Sequence, residues 1–197
     1  TKLWGIYGFE KPELFVVDWR DKETSSEEKM ERLENTVDRL SVKDNLRVSL
    51  IGLSAGGPMV LDAYIRSLRE GENSNINRIL TLCSRLREGD LDYWTEEKHQ
   101  YDKTVPAYHE FVKRAESGVD LTDERGQQVV SKLDRQRIKN AIAWFGDRHT
   151  PTKKLGTVEG AHFKRLRTPG HTFTIAAGLT FPPFSIKFAK FLRLREK

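Results

Sequence analysis

The chain has 197 residues, 37% hydrophobic and 32% charged, and 34 Lys and Arg against 29 Asp and Glu leave a net charge of +5. That composition is too apolar for a disordered tail and too polar for a membrane bundle, and the mild basic excess does not by itself imply a nucleic-acid partner. A single cysteine, Cys83, excludes an internal disulfide and any multi-cysteine metal site, and it fits a reducing, cytoplasmic setting.

No apolar run reaches the length of about 18 residues that a membrane-spanning helix needs. The opening TKLWGIYGFEKP lacks the basic-then-apolar order of a signal peptide, and it lacks an initiator Met, so a processed or truncated N-terminus is expected. Residues 14–18, LFVVD, form a short apolar run ending at an acid and predict a buried strand. Over 26–40, Met30, Leu33, Val37 and Leu40 recur at helical spacing with charges between them, one face of an amphipathic helix. Residues 46–51 are β-branched and nearly uncharged toward their end, the pattern of a central strand. PMVLDAYIRSLRE, 58–70, predicts a helix whose first turn tolerates Pro58, with Gly71 as its stop.

NRILTLC, 77–83, predicts a third strand, with Cys83 a small buried hydrophobe at its end. Residues 84–136 carry no strong strand signal. YDKTVPAYHEFVKRAES and LTDERGQQVVSKLDRQ within them are helical in pattern, so the segment is expected to be a helical insertion leaving the strand tips. NAIAWFG, 140–146, predicts a fourth strand and GAHFKRL, 160–166, a short fifth, followed by a turn at Pro169–Gly170 and a helix over HTFTIAAGL. A last helix, FSIKFAKFLRLREK, follows Pro182 and Pro183. This alternation predicts one α/β domain over 1–197, a mostly parallel sheet with helices on both faces.

The strongest motif is Gly52-Leu53-Ser54-Ala55-Gly56-Gly57, set between strand 46–51 and helix 58–70. A serine on a tight strand-to-helix turn has strained backbone dihedrals, and glycines two before and two after remove side chains that would collide. Such a turn lifts the hydroxyl above the sheet edge while the helix start presents amides to developing negative charge. A Gly-rich turn can also cradle phosphate, but neither G-x-G-x-x-G nor a G-K-[ST] ending is present. Ser54 is therefore the candidate nucleophile, with the Ala55 amide as an oxyanion donor.

A serine needs a base held by an acid. Of His99, His109, His149, His162 and His171, the last follows Pro169-Gly170 on a turn and opens a helix, which lets its ring project over the strand tips. His149 is the rival. Asp147, just after AIAWFG and between Ser54 and His171 in the chain, is the candidate acid, with Asp90, Asp92 and Glu159 as fallbacks.

The order NLRVSLIGLSAGGPMVLDAY, then a strand ending near Cys83-Ser84, then AIAWFGD, then TPGHTFTIAAGL resembles an α/β-hydrolase over essentially the whole chain, most closely the small bacterial hydrolase-like proteins. The resemblance implies a truncated α/β-hydrolase-like fold and a Ser54–His171–Asp147 triad. It further implies a small-molecule ester or thioester substrate cleaved through an acyl-enzyme, and no cofactor or metal. The fold's second oxyanion donor comes from a loop after an earlier strand. By the resemblance LWGIYGF is the helix beyond that loop and ELFVVDWRD the strand that follows, so the N-terminal strands and oxyanion loop are expected to be absent. The exposed sheet edge this leaves invites a homodimer. The same absence supports the rival reading, a non-catalytic hydrolase-fold protein that binds a small molecule or a protein.

Two further features bear on ligands. Arg85 and Arg87 lie just past a strand's C-terminal end, where open α/β sheets bind ligands, and are candidate substrate-binding residues. In residues 184–197, Phe184, Phe188 and Phe191 share a helix face flanked by Lys187 and Lys190, a pattern that suits either weak contact with an anionic membrane surface or packing on the sheet. Leu91, Tyr93, Trp94, Tyr101, Tyr108, Phe111 and Val112 suit either a pocket lining or helix core faces. Nucleic acid is not an expected partner, since no strand interleaves aromatic and basic residues and no reading helix is recognisable.

Overall fold

The computed structural model describes residues 9, 12–44, 47–69, 75–87, 106–122, 126–146 and 153–193. Four strands, β1 (Val48–Leu53), β2 (Ile76–Leu82), β3 (Ile138–Phe145) and β4 (His162–Pro169), form a parallel sheet in the order β1-β2-β3-β4. Helix α1 (Ser26–Asp44) precedes β1, α2 (Gly56–Arg69) links β1 to β2, and α3 (Pro106–Asp120) and the short α4 (Lys132–Gln136) lie between β2 and β3. After β4 come α5 (His171–Thr180) and α6 (Pro182–Arg193).

Local sequence explains the helix starts. Ser25 and Glu28 form a reciprocal cap ahead of α1: the Ser25 amide donates to Glu28 Oε2 at 2.7 Å and the Glu28 amide to Ser25 Oγ at 3.1 Å. The stripe seen in the sequence then buries Met30, Leu33 and Val37. On that side of the sheet, α1, α2 and α3 enclose a core that includes Ile79, Ile138, Tyr64 and Phe111. On the other, α6 lays Phe188, Phe191 and Leu192 on Leu80, Leu82, Ala141 and Leu166. The phenylalanine face of the last helix is thus core, while Lys187 and Lys190 stay exposed. Among the described residues, no helix is long and apolar enough to cross a membrane.

Two expectations fail. Residues 14–18 are not a strand: the segment is extended and unpaired among the described residues. Phe15, Val17 and Trp19 lean on the core, while Leu14 is 81% and Val16 75% exposed. Alternation makes a segment extended, but a strand also needs a backbone partner within reach, which its own residues do not encode. The helical stretch at 121–136 shrinks to α4. Gly126 sits at φ +73°, Thr122 and Gln128 form an antiparallel bridge, and Ser131 caps α4 by accepting from the Asp134 amide. The bounds of the later strands also shift: β3 begins at Ile138, two residues before the expected 140–146, and β4 starts and ends later than 160–166, reaching Pro169.

The buried Arg135 of α4 ties this region together. Its guanidinium donates to the carbonyls of Val130 (3.1 Å), Glu159 (3.0 Å) and Val119 (2.8 Å) and to Gln128 Oε1 (3.1 Å). Arg135→Met leaves buried carbonyls unsatisfied and is expected to lower stability by about 2 kcal/mol in urea denaturation. Arg135→Lys should recover little of it, because an ammonium lacks the planar fork that spans these acceptors. Equal stability of Arg135→Met and the unaltered chain would refute this role.

Candidate active site

Because every strand runs the same way, the C-terminal tips share one edge of the sheet, and the segments after β1, β2 and β4 carry Ser54, Arg85 and Arg87, and His171. Ser54 has φ +51°, a left-handed backbone that a non-glycine residue adopts at a cost of about 1–3 kcal/mol. The turn is held from both sides: the Ser54 amide donates to Leu82 O at 3.0 Å, and its carbonyl accepts from the Gly57 amide at 3.1 Å.

Crowding explains two of the three glycines. A Cβ on Gly52 would stand 2.6 Å from Val60 Cγ2 and 2.7 Å from Gly56 O. The expectation for the glycine two residues after the serine is corrected: a Cβ on Gly56 would meet nothing within 4 Å. The crowded position is Gly57, where a Cβ would stand 2.1 Å from Cβ and Oγ of the buried Ser84. Ser84 lies beyond the tip of β2, just after Cys83, itself buried and at φ +51°.

β1 and β4 are the outer strands, about 14 Å apart across three strand spacings. The turn after β4 closes that gap. The Gly170 amide donates to Phe145 O at 2.8 Å, folding the turn over the tip of β3, and Gly170 has φ 66° and ψ 172°, a combination essentially restricted to glycine. From there α5 starts at His171, and His171 Nε2 lies 2.8 Å from Ser54 Oγ, within hydrogen-bond distance. Two threonines that the sequence did not single out hold this first turn. Thr174 Oγ1 donates to Gly170 O at 2.6 Å and lies 2.7 Å from Thr168 Oγ1, both side chains buried. Their placement three residues before and three residues after His171 is the signal that could have marked them.

The other expected residues distribute as follows. Asp147, His149, Asp90, Asp92 and His99 lie outside the described residues. Gly146, the last described residue before Asp147, stands beside the histidine turn: a Cβ there would be 3.5 Å from the Gly170 amide nitrogen. His162 and Glu159 sit at or just before the start of β4, at the opposite edge of the sheet, and His109 is on α3. Ala55 packs against Tyr108 and Val112 of α3, and nothing among the described residues accepts its amide. Phe111 belongs to the core, whereas Leu91, Tyr93, Trp94 and Tyr101 lie outside the described residues. Arg87 turns toward α3, 3.4 Å from Asp120 and 3.8 Å from Glu116, and Arg85 Nε donates to Arg87 O at 3.0 Å. Phe145 and Phe173, either side of the histidine turn in the chain, are exposed. Among the described residues, no group of three His, Cys, Asp or Glu side chains is placed to hold a metal ion.

No family model and no curated protein matches the chain. Solved structures do. A putative non-heme bromoperoxidase from Mycobacterium tuberculosis is similar with a TM-score of 0.53 at 11% identity, covering 89% of this chain and 77% of that one. A lipase from Bacillus licheniformis, in its mature form, gives 0.53 at 16% identity, covering 83% of this chain and 74% of that one. A second Mycobacterium tuberculosis protein, Rv0554, gives 0.54 at 10% identity, covering 89% and 76%. At such identities the likeness is one of fold: the chain has an α/β-hydrolase-type fold with four parallel strands among its described residues.

Proposed function

We propose that the chain is a serine hydrolase that cleaves a carboxylic ester or thioester through an acyl-enzyme. The observation that carries this reading is the 2.8 Å approach of His171 Nε2 to Ser54 Oγ, made across the full width of the sheet by a strained serine and a glycine-only turn. In the neutral tautomer protonated at Nδ1, Nε2 accepts the serine proton. Ser54 Oγ then attacks the acyl carbon and the carbonyl π pair moves to its oxygen, which the Ala55 amide stabilises. Collapse of the tetrahedral intermediate breaks the bond to the alcohol or thiol, which leaves with the proton from His171. Water, deprotonated by the same nitrogen, repeats the attack and releases the acid. Asp147 is the acid proposed to hold the imidazole at Nδ1, on the chain just after the glycine that stands beside the histidine turn.

The exposed Phe145 and Phe173 favour an apolar acyl group at this edge. A fluorophosphonate probe tests the reading: covalent labelling mapped to Ser54 by peptide mass spectrometry is the expected result. A folded chain left unlabelled would instead favour a hydrolase-fold binding protein.

A further inference from the structure

The N-terminal edge of the sheet carries a second concentration of charge that the Ser54–His171 pair does not use. The residues that begin the strands lie about 20 Å from those that end them, at roughly 3.3 Å per residue. Three side chains from this edge converge on one ring, Phe191 of α6. The Arg78 guanidinium carbon of β2 is 5.0 Å from the ring centroid, Lys139 Nζ of β3 is 4.5 Å from it, and the His162 ring of β4 meets it edge-on at 5.6 Å. Lys164, two residues after His162, shares its face of β4, and Lys187, four residues before Phe191, shares its face of α6. The cluster is graded in depth: Arg78 and Phe191 are buried, Lys139 is half-buried, and His162, Lys164 and Lys187 are exposed.

The charges that act on Lys139 and His162 are of one sign. Burial first, then Arg78, Lys164 and Lys187, push the Lys139 ammonium below its ordinary range, and burial, Lys139 and Arg78 do the same to His162. Cation–π contact with Phe191 offsets part of this self-repulsion. An anion would offset the rest, and four cations match a group that brings more than one negative charge.

We propose that Arg78, Lys139, Lys164 and Lys187 form a binding site for a compact, multiply charged phosphate group, a phosphomonoester or a diphosphate. The Arg78 guanidinium, which also donates from Nη1 to Gln136 O at 3.3 Å, supplies charge-assisted donors to phosphate oxygen, and the lysines supply point charges around the rest. The grading from a buried guanidinium to exposed ammoniums suits a small anion. The ring at its centre is buried and so offers no platform for stacking nucleic-acid bases. A free phosphate ligand and a lipid phosphomonoester head group present the same chemistry.

The test is calorimetric titration of the whole chain with sodium pyrophosphate at fixed ionic strength, alongside sedimentation with phosphatidylcholine vesicles containing phosphatidic acid. Lys164→Gln/Lys187→Gln changes only exposed side chains, and Lys22→Gln/Lys113→Gln removes the same charge from exposed positions outside the cluster. Pyrophosphate binding weakened about tenfold or more by the first pair and much less by the second is the expected result, and it assigns a soluble ligand. Binding to the vesicles alone, with the same dependence on the two pairs, supports the same site and assigns a lipid source. Binding to neither, or equal loss in both pairs, overturns the proposal. None of these readouts uses Ser54, so failure here leaves the hydrolase reading standing.

Discussion

Ser54→Ala and His171→Ala should each lower kcat/KM for an activated short-chain ester by about ten-thousandfold, and the double variant should fall little further. The reason is the shared proton: Oγ is a competent nucleophile only while Nε2, 2.8 Å away, can take its hydrogen, so removing either partner disables the same step. In free energy the loss is about 5.5 kcal/mol of transition-state stabilisation for either single change. Effects that instead multiplied in the double variant would mean that the two groups act in separate steps. A Ser54→Ala chain with full turnover would end the mechanism. Stability adds an independent readout. Ser54→Gly should abolish turnover and yet raise the denaturation midpoint, because it releases a backbone held at φ +51°, worth about 1 kcal/mol after the entropic penalty of glycine.

What was legible in the sequence was what short-range physics controls. Ser54 stood out because a tight turn after a β-branched strand demands glycine at its sides, and His171 because Pro169-Gly170 breaks β4 just where a helix can begin. The parallel sheet and its two helical layers followed from the alternation of apolar periods. Features that depend on a distant partner were not legible. LFVVD carries the right pattern for a strand, but its half-buried Phe15 and Val17 lean on the core without a ladder partner among the described residues. Gly57 falls outside the two-before, two-after pattern, since its need arises from Ser84, 27 positions away at the tip of another strand. The Phe191 cluster draws on β2, β3, β4 and α6, and only the closed sheet brings those charges together. The phenylalanine stripe of α6 suits both a membrane face and a core face by pattern alone, and only the folded sheet shows Phe188 and Phe191 packed on Leu80 and Leu82.

The glycine assignment can be tested with a pair of adjacent substitutions that sequence pattern alone would rank the other way. Gly57→Ala should destabilise the chain by about 3 kcal/mol, because the new Cβ would stand 2.1 Å from Ser84 Cβ, an atom fixed to the backbone. Relief then requires α2 to move off the tip of β2, which also shifts the turn that presents Ser54. For a chain of this size the change corresponds to a drop of roughly 6–12 °C in thermal midpoint. Gly56→Ala, inside the motif proper, should be neutral or raise stability by up to about 1 kcal/mol, since its Cβ meets open space and alanine is the better helix former. Adding Ser84→Gly to Gly57→Ala should restore most of the loss, because it removes both atoms of the clash and gives up only long hydrogen bonds, 3.4 Å to Gly52 O and 3.3 Å to Leu82 O. Urea denaturation of the three variants decides the matter: if Gly56→Ala proves the more damaging, or Ser84→Gly brings no recovery, steric contact between α2 and the tip of β2 is not what selects glycine at position 57.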